Sequence, residues 1–352
     1  MTKHIHGGDV YRYENYLDFS ANCNPLGLPE GVRSAIIQAV DSVVHYPDVQ
    51  CEKLKEAIGQ YEQVPIRQIV CGNGAAEVIF SLCLAMKPKR ALLPAPTFAE
   101  YQQALESVDC AVDYVWLGEQ KGFILDEEIL KQVEKTRPDV VFVCNPNNPT
   151  GVLTKKTLLE QLLCLCEQTN TFLVLDECFL DFVEESECYT MKEYLSQMKN
   201  LLIVKAFTKR YAMAGVRLGY GLTGNEQLIQ QMELVTQPWN VSGLAQAAGI
   251  AALQETAYVK RGQELIVRER SYLQKQLGQL GLQLYDSRAN YLFFLGPEDL
   301  PERMKKHKIL IRDCSNYPNL RKGFCRIAVR THEENEQLIN ALKGELEWQK
   351  QL

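Results

Sequence analysis

Short, continuous apolar runs that stop abruptly at polar or turn-forming residues constrain this chain more than any other feature. Residues 139–144 (DVVFVC) run into Asn145-Pro146-Asn147-Asn148-Pro149-Thr150-Gly151, and residues 172–175 (FLVL) end at Asp176-Glu177. Residues 201–204 (LLIV) lead to Ala206-Phe207-Thr208-Lys209, and residues 90–93 stop at Pro94. Runs this uniform read as strands covered on both faces. Amphipathic stretches between them, such as 154–168 and 191–198, predict crossover helices. The expectation is an α/β fold with a mostly parallel sheet sandwiched by helices. Ligands then gather at the C-terminal ends of the strands.

After about residue 225 the pattern changes. A long helical stretch, 259–281, precedes strand-like segments at 291–295, 309–312 and 325–329, and a helix-like segment, 333–346, follows. This arrangement predicts a smaller α+β domain. With 352 residues, at roughly 150 per domain, two domains are expected. Residues 36–250 form the large one and 251–352 the small one, with residues 1–35 as an N-terminal arm.

Composition removes several function classes. The net charge of −6 leaves no electrostatic footprint for nucleic acid. No run of 18 apolar residues suggests a membrane span. The first nine residues lack the apolar region of a signal peptide. Many of the twelve cysteines lie within apolar runs, where a free thiol acts as a small hydrophobe. A reducing cytoplasm is therefore expected. Cys164-Leu165-Cys166 reads as core packing rather than a zinc site, because no second ligand pair follows at suitable spacing. No metal is expected.

Four signals carry chemistry. Lys209 follows a buried strand, with Arg217 eight residues on. A lysine in a dry site can lose its proton and form an imine, and an arginine fork can grip a phosphate. Asp176 ends a buried strand, where a carboxylate needs a partner; a protonated pyridine nitrogen is one, a helix N-cap another. In the 145–151 turn, Asn148 can donate to a ring oxygen. Gly72-Asn73-Gly74-Ala75-Ala76-Glu77 opens a helix-like run, where backbone N–H groups can meet a phosphate. Singly, each can be a surface residue, a plain turn or a helix start. Together, in this order, they point to pyridoxal phosphate.

On these motifs the chain resembles the pyridoxal-phosphate enzymes of the aspartate aminotransferase fold, in the histidinol-phosphate aminotransferase branch. The resemblance implies a seven-stranded-type sheet in the large domain and an arm that joins the small one. It makes Lys209 the imine-forming lysine, Asp176 the pyridinium partner and Asn148 the ring-hydroxyl contact. Gly74, Ala75, Ala76, Thr208 and Arg217 would face the cofactor phosphate. Phe98 would stack on the ring, with Tyr101 as the nearby competitor, and Phe179 would pack beside it. Tyr46 resembles the tyrosine that reaches the neighbouring subunit's cofactor, which implies a homodimer. Segments HGGD (6–9), LDFSANCNPLG (17–27), QPWNVS (237–242), RANYL (288–292), IRDCSNYP (311–318) and RIAVR (326–330) resemble the threonine-phosphate decarboxylases of cobalamin synthesis. By that resemblance His6, Asn22, Asn148, Arg312, Arg326 and Arg330 meet a small phosphorylated amino acid. Arg330 is the most distinctive, since the aminotransferases usually carry a small residue there.

The chain also departs from the family. Ala206 replaces a usual serine, Ala75 and Ala76 replace frequent polar residues, and Phe179 replaces a frequent tyrosine. Each lost hydroxyl contact would cost about 1–3 kcal/mol if an acceptor were left buried and unpaired. The implied reaction is decarboxylation of threonine phosphate, or of serine phosphate, to aminopropanol phosphate or its lower homologue. Histidinol-phosphate transamination is the alternative. A ligand-sensing or catalytically silent version of the fold is a third reading.

Overall fold

The computed structural model describes residues 6–347. The outermost parts of the expected arm and small domain, residues 1–5 and 348–352, lie outside the described residues. In chain order the strands are β1 (Leu17–Asp18), β2 (Ile69–Gly72), β3 (Arg90–Ala95), β4 (Ala111–Trp116), β5 (Val140–Cys144), β6 (Phe172–Asp176) and β7 (Leu201–Ala206). They continue as β8 (Gly219–Leu222), β9 (Gln283–Leu284), β10 (Tyr291–Leu295), β11 (Ile309–Leu310), β12 (Arg312–Asp313) and β13 (Phe324–Ala328).

The apolar runs form the middle of a seven-stranded sheet of order β2-β8-β7-β6-β5-β3-β4. β3 to β7 pair in parallel, whereas β8 runs antiparallel to both β7 and β2. Strand alternation sorts side chains between two cores. Phe142, Val174 and Val204 enter one core, and Val143, Leu175 and Ile203 the other. The register sets Cys144 beside Asp176, and Asp176 beside Val204. Lys205, one residue on, therefore points away from the Asp176 face.

β8 (GYGL) is too short and glycine-rich to stand out in the sequence. Its glycines admit a close helix. A Cβ on Gly219 would lie 2.3 Å from the Ala75 nitrogen. The helix Ala75–Met86 thus starts directly against β8.

Two helical expectations need correction. Residues 191–198 contain only a short 3-10 turn, Lys192–Tyr194. Glu177 holds this segment instead, accepting from the Met191 N–H at 3.1 Å and the Thr190 hydroxyl at 2.8 Å. In the helix Lys156–Gln168, Cys166 is buried but Cys164 is exposed, so only one of the pair packs in the core. Two residues on a helix are separated by about 200°, which puts them on opposite faces.

β9, β10, β13 and β12 form an antiparallel sheet beside the helices Thr256–Gln279 and His332–Glu347. The expected 309–312 strand divides at Ile311. Its first half, β11, pairs in parallel with β1; its second, β12, pairs with β13. The β1–β11 ladder carries Ser20 and Asn22 towards the C-terminal ends of β5 and β6. Among the described residues, no helix is long and apolar enough to cross a membrane.

On the sheet face away from Asp176, a buried charge network braces the turn Phe207–Arg210. Glu62 Oε1 lies 3.4 Å from Lys205 Nζ, and its Oε2 3.0 Å from Lys192 Nζ. Asp181 lies 3.2 Å from Arg210 Nη1 and 3.9 Å from Lys205 Nζ. Burial alone would raise the Glu62 pKa; Lys205, Lys192 and the Tyr220 hydroxyl outweigh it and pull it to about 2. Replacing Glu62 by Gln should cost about 3–5 kcal/mol at pH 7, because Lys205 stays buried and loses a counter-charge. The depressed pKa gives the sign: this stability is full above about 4.5 and fades as pH falls towards 2. Urea unfolding of Glu62→Gln and the parent should therefore converge between pH 4.5 and 2. A gap independent of pH would contradict the ion pairing.

Candidate active site

A cavity of about 270 Å³ opens at the C-terminal ends of β5, β6 and β7, bounded by Cys144, Asp176, Ala206 and Lys209. Asp176 is buried. Its Oδ2 accepts from the Tyr101 hydroxyl at 2.6 Å and its Oδ1 from the Cys178 N–H at 2.9 Å. Each oxygen keeps a second lone pair for a further donor. Burial, reinforced by Asp176, raises the Tyr101 pKa and so keeps its hydroxyl protonated.

Tyr101 is completely buried and stacks on Phe142, with ring centroids 5.0 Å apart. Phe98 meets Tyr101 edge-on at 5.4 Å and lines the cavity. Phe98 thus offers the aromatic surface, while Tyr101 supports Asp176 from behind. Phe179 also lines the cavity and packs edge-on against Tyr291 at 5.0 Å.

Lys209 is half-buried and projects into the same cavity as Asp176. Beyond it, Arg217, Thr208, Ala75 and Ala76 form one end. Glu77 fixes the preceding loop by accepting from the Asn73 N–H at 2.6 Å. Gly74 has a φ of +80°, and a Cβ there would lie 2.4 Å from Arg217 Nη2. Only glycine therefore lets the guanidinium settle over the helix start. Here N–H groups lacking intrahelical partners, the positive helix end and Arg217 converge. Ala206, Ala75 and Ala76 offer methyl groups and no side-chain donor at this end.

The opposite end is built from the small antiparallel sheet and the arm. Arg312 and Arg326 are direct cross-strand partners on β12 and β13, and both are buried at the cavity. Arg326 donates to Asn148 Oδ1 and, at 2.8 Å, to the Ser20 carbonyl; its Nε is buried without a partner. Arg312 donates to Asn316 Oδ1 at 2.9 Å. Like charges directly opposed on a sheet are unfavourable, so an anion between them relieves the structure. Asn22 is buried in the wall, and its Oδ1 has no hydrogen-bond partner. His6 Nδ1 lies 3.2 Å from Glu100 Oε1.

Three expected groups do not line this cavity. Arg330 donates to the Asp18 carbonyl at 2.9 Å and to Glu334 Oε1 at 2.6 Å. It ties the arm to the last helix and does not line the cavity. β13 ends at Ala328, so Arg330 does not continue the strand face on which Arg326 stands. Tyr46 is exposed and stacks on Trp239 with centroids 4.5 Å apart. Gly74 lies behind the wall, under Arg217. Sequence reasoning missed the Tyr101–Asp176 bond and the presence of Glu100 and Tyr317. A glutamate in the first turn of a helix, like Glu100, is ordinarily explained by the helix dipole, so nothing singled it out.

The donor set suits a planar pyridine-type aldehyde with an anionic arm. Asp176 has free lone pairs for a ring N–H, Phe98 offers a ring face, Lys209 an amine, and the Arg217 end an anion cradle. Replacing Tyr101 by Phe should strip Asp176 Oδ2 of its donor and destabilise the protein by about 1–3 kcal/mol. Thermal unfolding without added cofactor measures this, and an unchanged midpoint would contradict the bond.

Comparison with known proteins places this geometry. The family model Aminotransferase class I and II matches residues 14–342. The threonine-phosphate decarboxylase of Salmonella typhimurium is 36% identical over 97% of this chain and 96% of its own length. A histidinol-phosphate aminotransferase of Caldanaerobacter subterraneus subsp. tengcongensis is 32% identical over 97% of each chain. The crystal structure of the histidinol-phosphate aminotransferase from Clostridium acetobutylicum superposes with a TM-score of 0.88 at 30% identity, covering 94% of this chain and 99% of that one.

Proposed function

This chain belongs to the class I and II aminotransferase family, and from that premise we propose that it decarboxylates L-threonine phosphate to aminopropanol phosphate and carbon dioxide in cobalamin synthesis. Its cofactor is pyridoxal phosphate. The observation that supports a doubly anionic substrate is the opposed pair Arg312 and Arg326 on one cavity wall. The whole-length likeness to a threonine-phosphate decarboxylase supports the choice of reaction.

When bound, pyridoxal phosphate withdraws electrons from whichever substrate bond stands perpendicular to its ring. The roles of this chain's residues follow as proposals. Lys209 Nζ would hold the cofactor and would supply the proton to the substrate Cα. Asp176 holds the ring N–H, Asn148 the ring oxygen and Phe98 the ring face, with Phe179 packed beside it. Arg217, Thr208 and the N–H groups of Ala75 and Ala76 hold the phosphate arm, above Gly74. His6 and Arg312 take the substrate phosphate, and Asn22 and Arg326 its carboxylate. Holding both anions at once would fix the orientation of the substrate Cα substituents, which would favour loss of carbon dioxide over loss of a proton. Arg330 acts through the arm that carries Ser20 and Asn22. Serine phosphate differs from threonine phosphate by one methyl, worth about 1–3 kcal/mol of discrimination, and is a natural second substrate.

We also propose a homodimer in which Tyr46 completes the neighbouring site. Ile37, Val43, Val44, Tyr46, Leu234 and Trp239 are all exposed, and the Tyr46–Trp239 stack joins the two segments that carry them. An apolar surface of this kind marks an interface. The twelve cysteines are all free, which supports a cytoplasmic location. Histidinol-phosphate transamination is the second reading, favoured by the likeness to those enzymes.

Incubation with threonine phosphate, serine phosphate, or histidinol phosphate plus oxoglutarate, with product masses, separates the two. Carbon dioxide release without a keto acid is expected. Transfer that requires oxoglutarate would select the aminotransferase. Lys209→Ala should abolish turnover and remove the absorbance band of the lysine–cofactor imine; substantial residual turnover would overturn the assignment of Lys209.

A further inference from the structure

Glu100 has no task in that chemistry, yet its carboxyl sits in the cavity wall. It occupies the first turn of the helix Ala99–Glu106, and its side chain is only 15% exposed. Oε1 lies 3.2 Å from His6 Nδ1, while Oε2 is buried and makes no hydrogen bond. His6 is held in place by its neighbours: Gly7 packs on Ser20, and the Gly8 N–H donates to Ser20 Oγ at 2.8 Å. Among the described residues, the groups facing Glu100 include His6 from the arm, Lys209 after β7, Asp176 at the end of β6, Arg312 on β12 and the Tyr317 hydroxyl after β12.

Burial raises the Glu100 acid to about 7, with Asp176 adding to the rise and Lys209 and Arg312 opposing it. Burial, then Arg312, lowers the His6 imidazole. Near pH 7 the imidazole is therefore neutral and the Glu100 acid is partly protonated; in its protonated form the acid O–H can donate towards Nδ1, 3.2 Å away. When Glu100 ionises, the tautomer can reverse and Nδ1–H donates instead. The contact survives either way, but the charge beside Arg312 changes by one unit.

That charge decides whether a second anion can enter. An ionised Glu100 competes with the incoming phosphate for Arg312 and repels it; a neutral Glu100 does neither and offers a donor. We propose that Glu100 couples substrate binding to proton uptake: the substrate phosphate enters the Arg312 end of the cavity together with one proton, which resides on the Glu100 carboxyl. The inference rests on the cavity accepting a phosphorylated amino acid, but not on which reaction follows. Linkage is reciprocal: the anion strengthens protonation of Glu100, and protonation strengthens anion binding. Above pH 7 the affinity for a dianion should fall by up to about tenfold per pH unit, the limit for one linked proton.

Sulfate tests this without turnover, because it stays dianionic across the relevant range. Calorimetric titration of sulfate into the pyridoxal-phosphate-loaded protein, in buffers of different ionisation enthalpy between pH 6.5 and 8.5, counts the protons directly. The parent protein should take up a proton fraction that approaches one above pH 7. Glu100→Gln should bind sulfate more tightly than the parent at pH 8.5, with most of that uptake lost. Its cofactor absorbance reports that the site is intact. Sulfate binding without proton uptake, or uptake that persists in Glu100→Gln and so belongs to His6 or another group, overturns the role of Glu100 while leaving the anion site standing. No sulfate binding to the parent at any of these pH values overturns the anion-site reading, and this proposal with it.

Discussion

The site depends on one buried carboxylate. Asp176 ends β6, held by the Tyr101 hydroxyl on one oxygen and the Cys178 N–H on the other. A carboxylate in such surroundings is costly unless it is paired and hydrogen-bonded. Two donors leave it part of the way to satisfaction, with its remaining lone pairs available to a cationic ring. Lys209, after the neighbouring strand, faces the same cavity. The parallel register of β5, β6 and β7 brings these groups to one edge of the sheet. Alternation along β7 sends Lys205 to the other face, where Glu62 and Asp181 meet it.

The cavity is electrically divided. Arg217 and the start of the helix Ala75–Met86 make one positive end, and the Arg312–Arg326 pair makes another. Between them stand Asp176 and Lys209. A ligand pair that fills this space must therefore present an anion at each end and a polarisable ring in the middle. A cofactor with a phosphate arm, together with a phosphorylated amino acid, satisfies that distribution. Glu100 adjusts the substrate end, and the Gly7–Ser20 packing carries His6 to it. The arm thus joins the binding wall through β1, whose position Arg330 secures from outside.

Much of this was legible in the chain itself. Strands with both faces buried announce themselves as unbroken apolar runs, so β5, β6 and β7 were visible. So were the residues at their ends, Asn148, Asp176 and Lys209. β2 and β8 were not, because four-residue strands with glycines have no clear period. The amphipathic spacing of 191–198 was misleading, since Glu177 captures its backbone in place of a helix. Arg330 carries the strongest family signal but lies outside the cavity, because β13 ends before it and the guanidinium turns to Asp18 and Glu334. The Tyr101–Asp176 bond and the role of Glu100 were hidden for a different reason: both residues lie on an ordinary short helix, and only the fold brings them to Asp176 and His6.

The central claim is that Asp176 keeps the cofactor ring nitrogen protonated, so that the ring can accept electrons. Nitrogen-15 NMR of the protein loaded with ring-labelled pyridoxal phosphate tests it most directly. The account predicts a pyridinium resonance that stays constant between pH 6 and 9 in the parent protein and moves towards neutral pyridine in Asp176→Asn. A neutral-pyridine resonance in the parent, or one unaffected by Asp176→Asn, would contradict it.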